Sequence, residues 1–144
     1  MKDNVSVLLV EDDDVDSENV VRAFKKNNIP NPLHITENGE DALAYLRHEG
    51  KYSDPKKSPR PGFILLDLNM PIMNGIEFLE VVKSDDDLKK IPVVVMTSSK
   101  EENDRIESYS LSVAGYIIKP VGFDNLVDAI KNIGIYWSMC ELSD

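Results

Sequence analysis

The strongest constraint in this sequence is a set of short, almost unbroken apolar runs, each closed by a polar residue of a particular kind. Val5 to Val10 is followed by Glu11 and Asp12, Phe63 to Leu66 by Asp67, Val93 to Met96 by Thr97, and Tyr116 to Ile118 by Lys119. Short continuous apolar runs suit strands covered on both faces, and such strands are characteristic of parallel sheets enclosed by helices. In an open α/β sheet the carboxyl ends of parallel strands meet at one edge, where ligands bind. Three carboxylates, a hydroxyl and an ammonium are therefore expected in one crevice.

The stretches between the runs carry helical spacing, and this alternation predicts βαβ units. A helix is expected from about Asp14, with Val20, Val21 and Phe24 on its inner face and Asp13 or Asp14 as its cap. A short strand near Leu33 to Thr36 follows, then Asn38-Gly39 as a turn, then a helix with Ala42, Leu43 and Leu46 inward. Residues 49–62, rich in Gly and Pro, have the composition of an exposed loop. A third helix is expected from Gly75, with Ile76, Leu79 and Val82 inward, and Pro92 opens the next strand. A fourth helix over about 101–110 has few apolar anchors beyond Ile106 and Tyr109, and the last, from about Phe123, uses Leu126, Val127, Ile130 and Ile133. The 144 residues read as one domain, with a core over about 4–138, a flexible C-terminal tail and no output domain.

Charge narrows the partners. Against 16 Lys and Arg stand 26 Asp and Glu, a formal net charge of -10, which disfavours nucleic acid and anionic membrane surfaces. The lone cysteine, Cys140, has no internal disulfide partner, and no apolar run approaches the ~20 residues that span a bilayer. A cytoplasmic protein is expected. His34 and His48 lie in no phosphorelay pattern, and Met70 and Met73 read as gap fillers.

Glu11, Asp12 and Asp67, brought together, repel one another unless a cation neutralises them. Mg²⁺ suits oxygen ligands and a shared phosphate, whereas a Ca²⁺ loop of alternating Asp and Asn is missing from the sequence. Asp13, Asp14, Asp16 and Glu18 read as a solvated helix start, where acids complement the dipole.

The runs Leu8-Leu9-Val10-Glu11-Asp12, Leu65 to Gly75 (LLDLNMPIMNG), Val95-Met96-Thr97-Ser98 and Gly115-Tyr116-Ile117-Ile118-Lys119-Pro120 resemble, in order and spacing, those of the receiver domain of two-component response regulators. The resemblance covers about residues 4–134. The long loop before the third strand and the ending Ile135-Tyr136-Trp137 further resemble single-domain receivers that partner phytochrome-type histidine kinases. It implies a doubly wound, five-stranded parallel sheet flanked by five helices, in flavodoxin-like topology. It also implies that Asp67 accepts a phosphoryl group from a kinase histidine as an acyl phosphate. Mg²⁺ would be held by Asp12, Asp67 and the backbone carbonyl of Asn69, with Glu11 acting through a water. Lys119 and Thr97 would meet phosphoryl oxygens, Ser98 would leave room beside the threonine, and Pro120 would follow a cis peptide bond.

The resemblance further implies a switch in which Thr97 moves toward the phosphate and Tyr116 takes the vacated space. The face of the fourth helix, fifth strand and fifth helix would then serve a homodimer or a downstream target. Two other readings stay open on sequence alone. A phosphohydrolase of the haloacid dehalogenase type also uses a strand-end aspartate with a threonine and a lysine, but it needs an acid two residues on, where Asn69 stands. A docking module that is never phosphorylated would have lost one of the acids or the lysine, and none is lost.

Overall fold

The computed structural model describes residues 5–26, 31–68, 70, 72–97 and 113–118, with residues 97, 116 and 118 described by their backbone. The expected fourth and last helices, and with them Asn69, Pro71, Ser98, Lys119, Pro120, Trp137 and Cys140, lie outside the described residues. The elements in chain order are β1 (Val7–Val10), α1 (Asp14–Lys26), β2 (Leu33–Thr36), α2 (Gly39–Leu46), β3 (Phe63–Asp67), α3 (Gly75–Ser84), β4 (Val93–Thr97) and β5 (Gly115–Ile118). Single 3₁₀ turns stand at Gly50–Tyr52 and Leu88–Lys90.

All five strands pair in parallel, in the order β2-β1-β3-β4-β5. This is the flavodoxin-like order expected, with its reversal at β1 and β3. Period-two alternation sorts each strand between two layers. Leu8, Val10, Ile64, Leu66, Val93 and Val95 pack with Ala42, Leu43 and Leu46 of α2 and with Ile76, Leu79 and Val82 of α3. On the opposite face, Val7, Leu9, Phe63, Leu65, Val94 and Met96 pack with Val20, Ala23 and Phe24 of α1. Both faces of β1 and β3 are thus closed, which is why those runs contain no polar alternation.

The caps are specific. Asp13 Oδ1 accepts from the amides of Val15 at 2.8 Å and Asp16 at 3.0 Å, so Asp13 starts α1. Asn38-Gly39, expected as a turn, is instead a helix start: Asn38 is extended and its side chain accepts from the amide of Asp41 at 2.9 Å. Asn74 and Glu77 form a reciprocal capping box at the head of α3.

The 49–62 segment is less free than its composition suggests. Tyr45 Oη donates to the carbonyl of Pro59 at 2.9 Å, and a ring nitrogen of His48 pairs with the carbonyl of Ser58 at 2.8 Å. The amide of Gly62 donates to the carbonyl of Ser6 at 2.7 Å, and Arg60 pairs with Asp87 at 2.8 Å. Those anchors belong to other elements, so local composition carries no trace of them. Among the described residues, no helix is long and apolar enough to cross a membrane.

Candidate functional site

Register decides which side chains meet. Val10 pairs with Leu66 and with Thr36, so β1, β2 and β3 end level with one another. The residues that follow or complete those ends are Glu11, Asp12 and Asp67. One carboxylate oxygen from each lies within 4.8 Å of the others. Asp67 and Glu11 are each 2% exposed, whereas Asp12 faces solvent.

The local backbone explains the placement. The amide of Glu11 donates to the carbonyl of Thr36 at 2.9 Å, which continues the ladder one step past the strand. Glu11 Oε1 accepts from the amide of Asp13 at 3.2 Å, which turns its carboxylate toward the start of α1. Beyond Asp67, the amide of Leu68 donates to the carbonyl of Met96 at 3.1 Å, and the amide of Gly75 to the carbonyl of Leu68 at 3.1 Å. A Cβ on Gly75 would stand 2.5 Å from the carbonyl oxygen of Asp67, so only glycine lets α3 begin this close to the end of β3.

Three like charges this close, two of them on buried residues, oppose one another in a medium that screens them poorly. A hard divalent cation offsets that repulsion, and oxygen-only donors with one open, solvated side suit an ion that keeps part of its water. The residues present therefore fit a metal of the Mg²⁺ class.

The other expected site residues divide in two. Thr97 ends β4 and Tyr116 lies in β5, where Thr97 pairs with Ile118 and Tyr116 with Val95. The backbone of Thr97 thus reaches the edge that carries the acids. Asn69 and Lys119 lie outside the described residues. Sequence reasoning missed the contact of Gly39, whose amide donates to the carbonyl of Met73 at 3.2 Å in the segment between β3 and α3. Nothing local announces that contact. The Asn74–Glu77 spacing, in contrast, was a readable capping-box signal.

Comparison with known proteins agrees with this geometry. The chain is 42% identical over 131 residues to response regulator Rcp1 of Synechocystis sp., covering 91% of this chain and 87% of that one. The Mn²⁺-bound form of Rcp1 superposes with a TM-score of 0.75 at 41% identity, covering 92% of this chain and 94% of that chain. The bacteriophytochrome response regulator RtBRR gives a TM-score of 0.83 at 41% identity, covering 91% and 78% respectively. The phosphorylated cyanobacterial phytochrome response regulator RcpA gives 0.77 at 39% identity, covering 93% and 94%. The family model of the response regulator receiver domain matches residues 7–131. With its strand order, its strand-end acids and this match over most of its length, the chain belongs to the response regulator receiver family.

Proposed function

We propose that Asp67 accepts a phosphoryl group from the phosphohistidine of a sensor histidine kinase, and that this receiver passes the signal on through protein contacts, in a phytochrome-type light pathway. The observation that carries the reading is the convergence of Glu11, Asp12 and Asp67 within 4.8 Å at the carboxyl edge of a receiver sheet. The pathway follows from the likeness to Rcp1, RcpA and RtBRR.

In the transfer, an oxygen of the Asp67 carboxylate attacks phosphorus. The P–N bond breaks, its electron pair stays on the kinase imidazole, and an acyl phosphate forms. Asp12, Asp67 and the backbone carbonyl of Asn69, with Glu11 acting through a water, would hold Mg²⁺, which would supply positive charge to the phosphoryl oxygens. Lys119 neutralises a further oxygen and the Thr97 hydroxyl donates to another, because charge stabilisation is most of what this transfer asks of a protein. The adduct adds about -1.5 to -2 charges. Thr97 then shifts toward it, Tyr116 follows, and the face built on β5 and the helices beside it serves a second copy or a target. The 144 residues act as one cytoplasmic receiver unit, with at most slow hydrolysis of its own acyl phosphate.

Intact mass after incubation with Mg²⁺ and a small acyl-phosphate donor tests this. One phosphoryl adduct is expected, absent from Asp67→Asn. An adduct that persists in the variant, or none in the Mg²⁺-saturated native protein, overturns the assignment.

A further inference from the structure

Between β3 and α3 the backbone takes a conformation that its own side chain opposes. Ile72 has φ of 68°, in the left-handed region that β-branched residues avoid. The residue is 75% exposed, so burial does not compensate. Strain of this sort persists only where the surroundings impose it, and it gathers at functional sites.

The surroundings here form a closed circuit. From Asp67 the chain passes Leu68, whose carbonyl is held by the amide of Gly75 at 3.1 Å. It reaches Met73, whose carbonyl is held by the amide of Gly39 at 3.2 Å, and Asn74, fixed by its capping box with Glu77. Gly39 opens α2 behind the cap Asn38, and Asp41 closes that end by accepting from the amide of Glu37 at 3.1 Å and from Tyr52 Oη at 2.9 Å. Glu37 follows Thr36, whose carbonyl accepts from the amide of Glu11. The start of α2 therefore ties the backbone of Glu11 to the segment leaving Asp67.

The approach at Gly39 leaves no room for a side chain. A Cβ there would lie 2.7 Å from Met73 Cγ and 2.9 Å from both its Sδ and its carbonyl oxygen. We infer that the start of α2 is a latch that sets the spacing of the acidic cluster, which makes Gly39 and Met73 positioning residues for metal binding and phosphoryl uptake. This inference rests on the reading of Asp67 as the acceptor.

The test uses the full chain as Gly39→Ala, Gly39→Ala/Met73→Ala and Asn38→Ala, with circular dichroism to show that each is folded. Amide hydrogen exchange at Gly75 in metal-free protein, Mg²⁺ affinity by calorimetry, and the acyl-phosphate labelling rate are measured. Gly39→Ala is expected to lower Mg²⁺ affinity about tenfold, as loss of a residue supporting metal ligands does, to slow labelling, and to speed exchange at Gly75. The double variant is expected to recover most of this, since two of the three close atoms belong to the Met73 side chain. Asn38→Ala, which frees the same helix start, is expected to show a smaller loss in the same direction and decides the matter should Gly39→Ala not fold. Variants that bind Mg²⁺ within about twofold of the native protein, well short of that tenfold, with unchanged Gly75 exchange, overturn the latch. Failure of the native protein to form an adduct that Asp67→Asn abolishes would overturn the acceptor reading instead.

Discussion

Tyr45 is one of the few buried polar side chains whose ionisation is legible from its contacts. Its ring packs edge-on to Tyr52 with centroids 5.2 Å apart, and its hydroxyl is spent on the carbonyl of Pro59. Burial, with a smaller contribution from Tyr52, pushes its phenol up from 10.0 to about 12. Tyr52 is raised as well, by burial first and then by its hydrogen bond to Asp41. The unfolded chain thus releases these protons at lower pH than the folded one, so folded stability is intact below about pH 10 and falls as pH rises toward the folded value. Tyr45→Phe is expected to cost about 0.5–1.5 kcal/mol near neutrality through the lost hydrogen bond. The same variant should show a shallower fall above pH 10, which urea unfolding across that range measures. At this scale the site acids were readable because each sits where an apolar run stops. Gly39 was not, because its meaning lies in Met73, far along the chain.

At the level of elements, α3 matters most to the site, since it starts one contact away from Asp67. Its capping box satisfies amides that the helix itself leaves unpaired. Asn74→Ala is expected to destabilise the protein by about 1 kcal/mol, seen as a lower urea midpoint at an unchanged slope. The strands of this fold were plain in the sequence, because runs such as Phe63 to Leu66 are buried on both sides and admit no polar residue. Asn38-Gly39 misled because the same pair serves a turn or a helix start, and only the partner beneath Gly39 chooses between them. Residues 49–62 are the mostly exposed loop that their composition announces, but the contacts that hold them, to Ser6, Tyr45 and Asp87, leave no mark within the segment itself.

For the molecule as a whole, the acidic cluster is a local excess of charge within a chain that already carries a net -10. Folding brings those charges together, so a cation that binds only the folded state should stabilise it in proportion to its occupancy. Mg²⁺ at a hundredfold excess over its dissociation constant is expected to add about 2.7 kcal/mol, a rise of several degrees in thermal midpoint for a chain of this size. Asp67→Asn should abolish most of that rise while raising the midpoint of the metal-free protein, because one of three opposed charges is gone. Differential scanning calorimetry with and without Mg²⁺ separates the two effects. The strand order has one more consequence. β1 is made before the other strands, yet one of its two neighbours in the finished sheet, β3, is made only after β2, α2 and the segment that follows them. Until Phe63 to Asp67 emerges, Glu11 and Asp12 have no third acid to face, and one edge of β1 stays open. With Asp67 as the acceptor proposed above, the nascent protein is thus deaf to its signal until β3 is made, and a polypeptide released before that point carries no receptive pocket.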